Sequence, residues 1–348
     1  MNKKRTWNVN GNEPIIGSQP CNGESTCKIK AISKFDWIFV SRLAPEVTKD
    51  DLLDFLKNLK FNVECVELKT NFKHYKSFKD DMRNDGRTRR KYRPMELETN
   101  VVSHANGSAR LRLANTDILV GIKTEIDCPF PETPNLGKIE FFVDCSANAT
   151  PAFEGRGGED LAMELSNSLA CAYNSFPLDQ LCITRGEQCW KLYADILILE
   201  CGGNLYDAVS IAVKAALFST EVPKVMGTLL DGGTVDLVLS DDPFDCQKLD
   251  VTRAPLLVTL CKIGDFCVVD PTAEEEMCSM ASMVVSVLEN GTVTSSFKCG
   301  AGSLHSETVK QAFKIGKEVG QSLNQELKEI LLQEQSLGSK RELFGFLK

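Results

Sequence analysis

Apolar and polar positions fall into short runs with two periods, punctuated by glycine, asparagine and proline. Residues 192–199, written LYADILIL, are a nearly unbroken apolar run of strand length, and residues 207–218 (DAVSIAVKAALF) follow with helical spacing. Between them stands Glu200-Cys201-Gly202-Gly203-Asn204-Leu205. A strand that passes through paired glycines into a helix start is a natural phosphate cradle, because the glycines permit close approach and the helix presents free N–H groups. Here the turn offers only Asn204 and Leu205, beside a Glu200 that repels an anion. The competing reading is plain strand-to-helix packing.

The same reading predicts a strand over 35–43, a helix opened by Thr48 with Leu52, Leu53, Phe55, Leu56 and Leu59 on its apolar face, and a strand over 63–68. Residues 1–33, rich in Asn, Gly, Lys and Ser, are expected to be disordered. A hairpin is expected over 101–113 and 116–124, a proline-bearing loop over 128–137, a strand over 138–143 and a helix over 160–173. Strands follow over 188–199, 255–263, 266–270, 282–288 and 292–298, helices over 207–218 and 306–334, and a change of half near 231–233. This is an α+β chain of two sheet-and-helix halves, 79–235 and 250–348, behind a partial βαβ segment at 34–78.

Composition narrows the chemistry. The chain has 348 residues, 43% hydrophobic and 25% charged, with apolar runs well short of the ~20 residues that span a bilayer, so no membrane partner is expected. Fourteen cysteines form no C-x-x-C pair, and only His74, His104 and His305 accompany them, so no metal site or other cofactor is expected. Cys171, Cys189 and Cys261 read as small buried hydrophobes, which suits a reducing compartment. Net charge is −8, yet residues 69–93 carry ten basic against three acidic residues. A basic belt on an acidic body can hold a polyanion, although a solvated connecting face is the common alternative.

Two resemblances follow from longer motifs. WIFVSRLAPEVTKDDLLDFL and HYKSF resemble the start of the ferredoxin-like, RNA-recognition-type domain of insect mobile elements, of which about half is present. Arg83-Asn84-Asp85-Gly86-Arg87 resembles the R-x-D-G-R opening of RNase PH-like proteins. Arg93-Pro94, FFVDCSANATPAFEGRGGEDL, ILILECGGNLYDA, VDPTAEEE and SLGSKRELFGFL follow in that family's order. From residue 79 onward the chain is therefore similar to the RNase PH-like core subunits of the RNA exosome, which implies an RNase PH-like fold of two βαβα-type halves. It also implies a six-membered ring with other RNase PH-like subunits, RNA-binding cap proteins, an associated catalytic nuclease and single-stranded RNA, in the nucleus, nucleolus and cytoplasm.

Active members of that family hold the attacking phosphate with a Gly-Gly-Thr-Arg turn; this chain has Asn204 and Leu205 at the last two positions. Each charge-assisted hydrogen bond lost with an arginine is worth about 1.5–3 kcal/mol. The family's two aspartates fall at Asp270 and Glu276, with Thr272 between them, and an arginine before the first long helix falls at or near Glu159. The expectation is no catalytic residue, with RNA contacts drawn from Arg87, Arg89, Arg90, Lys91, Lys138 and Arg156. Arg83 and Arg87 have a second reading, as clamps of the segment onto acidic groups of the fold. Two further functions stay open: a phosphorolytic 3′-to-5′ exoribonuclease, and a mobile-element-derived nucleic-acid-binding protein.

Overall fold

The computed structural model describes residues 83–229, 235–239, 242 and 245–337, with four short strands nearer the N-terminus. The chain divides into two compact units, Met1–Lys73 and His74–Lys348. In the first, β1 (Trp7–Val9) pairs antiparallel with β2 (Glu13–Ile15), and β3 (Lys28–Ile32) with β4 (Trp37–Ser41). Three of these strands fall in residues 1–33, where disorder is expected. Asn10-Gly11, lying between β1 and β2 in sequence, is a local hairpin signal within this otherwise polar stretch. The helix expected from Thr48, the strand over 63–68, the junction at 231–233 and most of the terminal motif lie outside the described residues.

The second unit begins its first sheet with β5 (Met95–Thr99), β6 (Gly107–Leu113), β7 (Thr116–Asp127), β8 (Lys138–Cys145), β9 (Cys182–Thr184) and β10 (Gln188–Glu200). The order is β5-β6-β7-β10-β8, with β9 on the end of β10; β8 runs parallel to β10 and the other pairs are antiparallel. The strand expected over 101–113 starts late. Asn100 turns the chain with a left-handed φ of 55°, so β5 folds back onto β6. Helix α1 (Glu159–Ala172) packs on β8, and α2 (Leu205–Ser219) packs on β6 and β7.

Two short pairings follow: β11 (Glu221–Pro223), β12 (Val225–Leu229), β13 (Val235–Leu239) and β14 (Cys246–Lys248), joined as β11-β14 and β12-β13. The second sheet contains β15 (Leu256–Ile263), β16 (Phe266–Val269), β17 (Ser282–Val287) and β18 (Val293–Cys299), all antiparallel in the order β16-β15-β17-β18. Helix α3 (Ala273–Cys278) follows β16, and α4 (Ser306–Leu337) covers β15 and β17.

Helix α2 is apolar around most of its circumference, with Asp207, Ser210 and Lys214 along one stripe, and it is buried on nearly every side. Leu205 and residues 207–217 are all buried, because α2 lies between the first sheet and β15. Strand β15 is in turn buried on both faces. Leu257 joins the core around α2, while Val258 and Leu260 pack with Ala312 and Ile315 of α4. That leaves polar groups of α2 to be satisfied internally. Lys214 donates to the Ala254 carbonyl at 2.8 Å and Asn324 Oδ1 at 2.7 Å, and burial pushes its pKa down to about 8.

Candidate functional site

The Gly202–Asn204 turn connects β10 to α2, and its geometry demands the residues it has. Gly203 has φ +94°, and a Cβ there would stand 2.5 Å from the backbone nitrogen of Ala273. Asn204 adopts φ 58°, a left-handed conformation that asparagine tolerates better than most residues. Thr116 Oγ1 donates to the Gly203 carbonyl at 2.8 Å and accepts from the Gly202 N–H at 3.2 Å, tying the turn to the start of β7.

Asp270 enters from the other half. It is fully buried just after β16 with φ 49°, a second left-handed residue at the same place. Arg93 grips it: the guanidinium donates through Nε at 3.0 Å to Oδ2 and through Nη2 at 2.9 Å to Oδ1, and the Arg93 N–H adds a bond of 2.8 Å. The same guanidinium reaches the carbonyls of Gly202 and Gly203 at 2.9 and 3.0 Å. Arg87 Nη1 bonds Asp270 Oδ2 at 2.8 Å, and Asn204 Nδ2 bonds Oδ1 at 2.8 Å. Burial opposes ionisation of Asp270, but the bonds and charge of Arg93 outweigh it and hold the carboxyl below the usual range.

Glu276 and Asn204 close the turn. The Asn204 N–H donates to Glu276 Oε1 at 2.7 Å, so a carboxylate of the chain occupies the N-terminal end of α2. The adjacent Leu205 side chain is buried in the core instead of reaching toward an anion. Helix α3, which carries Glu276, is set by a capping box between Thr272 and Glu275. Glu275 also accepts from Arg83, whose guanidinium bonds the carbonyls of Val269 and Asp270 at 2.8 and 2.7 Å. Both clamps foreseen for the arginine-rich segment are therefore present: Arg83 on Glu275 and Arg87 on Asp270.

Behind the turn lies Asp207. It accepts from Tyr92 Oη at 2.7 Å, Thr259 Oγ1 at 2.6 Å and Asn204 Nδ2 at 3.0 Å, linking α2 to β15 and to the segment before β5. Burial, helped by the nearby Asp270 charge and opposed by these bonds, pushes its pKa up to about 7. Sequence reasoning missed Tyr92, Arg93 and Asp207 as members of the network. Thr272-x-x-Glu275 was the one local signal available, as a capping box marking α3.

The six expected RNA contacts are not brought together. Arg87 is turned inward onto Asp85 and Asp270. Arg89 lies over the Phe266 ring at 4.5 Å, and its carbonyl extends the edge of β16 by accepting from the Val269 N–H. Arg90 forms an exposed pair with Glu318 at 3.0 Å, and Lys91 is exposed. Lys138 pairs with Asp127 at 2.8 Å and covers the Phe130 ring of the proline-bearing loop. Arg156 is 89% exposed, 3.7 Å from Glu159. Of the three cysteines expected to be buried, Cys189 and Cys261 are buried, but Cys171 of α1 is exposed. Among the described residues no cluster of His, Cys, Asp or Glu could hold a metal ion.

A two-half α+β molecule with a Gly-Gly turn feeding a buried helix between its sheets defines the class. The chain belongs to the 3′ exoribonuclease family: residues 91–223 match its domain 1 and residues 254–319 its domain 2. It is 33% identical over 291 residues to the putative exosome complex exonuclease RRP42 of Dictyostelium discoideum, covering 69% of this chain and 90% of that one. The exosome complex component Rrp42 of Methanothermobacter thermautotrophicus is 33% identical over 279 residues, 79% of this chain and 92% of the relative. A chain of the Archaeoglobus fulgidus exosome, solved with RNA bound to the active site, superposes with TM-score 0.62 at 26% identity, covering 74% of this chain and 96% of that chain.

Proposed function

We propose that the chain is a non-catalytic, structural subunit of the RNase PH-type ring of the RNA exosome, supporting 3′-to-5′ RNA processing in the nucleus, nucleolus and cytoplasm. One observation carries the non-catalytic part: the Asn204 N–H at the head of α2 is bonded to Glu276. A phosphate arriving there would meet a resident carboxylate, with Leu205 buried alongside. It would find no free arginine in the knot, because Arg93 and Arg87 are committed to Asp270 and Arg83 to Glu275. The catalytic work falls to an associated nuclease, while this chain closes the ring, supports the cap proteins and shapes a path for single-stranded RNA. Obligate interfaces of that kind bury more than about 2,000 Å².

Two measurements test this. A tagged chain expressed in its own cells should copurify with other RNase PH-type subunits in one ring-sized particle; a stable monomer with no such partners would remove the ring assignment. The purified chain given single-stranded RNA and inorganic phosphate should release no nucleoside diphosphates. Phosphate-dependent release, abolished by a Glu276 or Asp270 substitution, would make it an exoribonuclease in its own right.

A further inference from the structure

The long helix α4 carries its charges in an order that helix stability does not ask for. Its first twelve residues, 306–317, hold Lys310, Lys314 and Lys317 against Glu307, whereas the remainder holds Glu318, Glu326, Glu329 and Glu334 against Lys328. The macrodipole favours the reverse, with cations toward the C-terminus. The three lysines stand at i, i+4 and i+7 and so share one face. That face points to solvent, because Ala312, Ile315 and Gly316 between them are buried against the second sheet. Among the described residues the ion pairs of α4 are Arg90–Glu318 and Lys328–Glu289, which leave all three lysines out.

The fold extends this stripe with residues far away in sequence. Arg90 reaches Glu318 at 3.0 Å, so the basic segment ends beside α4 and adds exposed Arg90 and Lys91 to the same region. Five cations thus face water near two glutamates, on a chain whose net charge is −8. Along the axis the lysines are about 6 Å and about 10 Å from the first, at 1.5 Å per residue. That pitch suits successive phosphates of an extended strand.

We infer that Lys310, Lys314 and Lys317, continued by Arg90 and Lys91, form an outer-surface track for the phosphate backbone of single-stranded RNA. The choice of RNA as the polyanion rests on the ring-subunit reading. The track is separate from the turn at Gly202, and lysines, as compact point charges, hold backbone without reading sequence.

The test uses the full chain and a fluorescent oligouridylate, with affinity followed by anisotropy across a range of salt. Replacing the lysines together (K310E, K314E and K317E) should weaken binding at least about tenfold. It should also lower the slope of log affinity against log salt by about 2, three contacts at about 0.7 each. The corresponding triple glutamine variant should lose the same slope, which guards against misfolding caused by the reversed charges. Lys328→Gln, on the acidic part of the same helix, should change neither quantity. Wild-type affinity and slope in a folded triple variant that still joins its ring partners would overturn the track and leave the ring reading intact. Polyglutamate displacing the RNA as well as unlabelled RNA of equal charge would reassign the stripe to acidic protein segments.

Discussion

Two glycine turns lead into helices in this protein, and they have opposite fates. Before α1, Gly155, Arg156 and Gly157 form an exposed loop that ends on the buried Gly158; the helix opens on Glu159 and Asp160 without a side-chain cap. Before α2, Gly202, Gly203 and Asn204 are locked by Arg93, Thr116, Asp270 and Glu276 into a buried junction of the two halves. Similar local sequence produces a solvated loop in one place and a structural knot in the other. The difference lies in what packs above: the second sheet brings Asp270 and α3 onto the α2 turn. At both helix starts the acid is the chain's own, which leaves an incoming phosphate a like charge at either one.

The comparison breaks most visibly at Asp270. Asp270→Ala would strand Arg93 and Arg87 without their carboxylate, and loss of one partner from a buried ion pair costs about 3–5 kcal/mol. Denaturant unfolding should show that loss; a change below about 1 kcal/mol would mean the knot is not what holds the halves together.

Gly203→Ala comes next, with an expected loss above about 2 kcal/mol, because a side chain there meets Ala273 backbone as well as an unfavourable φ. Gly155→Ala is its control in the solvated loop. With φ +69° but nothing within 4 Å of a new Cβ, it should cost only the backbone strain, about 1–2 kcal/mol. Equal losses at the two glycines would erase the distinction between the turns.

Asp207 gives the knot a pH signature. Its folded pKa of about 7 lies above the ordinary 3.8, so the folded state binds more protons between those values. Its contribution to stability is complete below about pH 4 and disappears as pH rises through about 7. Asp270 acts in the opposite sense: its stabilisation is present above the ordinary carboxylate value and is lost as pH falls through its depressed pKa. Lys214, with its folded pKa of about 8, restores stability as pH rises from there toward 10.5. Stability should therefore decline between about pH 4 and 7. Asp207→Asn should flatten that decline at a cost of about 1–3 kcal/mol in acid, from one disturbed buried bond. A decline of unchanged steepness in the variant would place the titrating group elsewhere.

Much of this was readable along the chain. The run over 192–199 and the helix after it are strong period signals, and α2, α4, β10 and β15 fall where spacing puts them. The absence of an arginine after the Gly-Gly turn was legible too, since Leu205 is a local fact. What replaced it was not. Arg93 and Asp270 are 177 residues apart, and a pairing at that separation leaves no periodic trace. Strand β5 was hidden because Met95–Thr99 has only a half-buried pattern and its partner lies beyond the loop at 100–106. The arginine-rich segment shows the limit most plainly. Its charge count suggested one outward belt, yet Arg83 and Arg87 are spent inside the fold while Arg90 and Lys91 face water.

The smallest effect separates these two uses of arginine. Arg156 is 89% exposed, and its contact with Glu159, itself 66% exposed, spans 3.7 Å. A pair so open to water contributes between nothing and about 1 kcal/mol, and an isolated one usually less than half of that. Arg156→Ala should therefore leave unfolding within about 0.5 kcal/mol of the parent, against several kcal/mol for a substitution at Asp270. If Arg156 touches RNA, the same variant should still lower the salt dependence of RNA affinity by about 0.7, because one phosphate contact is gone. A side chain can lose its ligand without loosening the fold only when the fold never used it. A stability loss above about 1 kcal/mol at Arg156 would show that the outer turn is held as the inner one is.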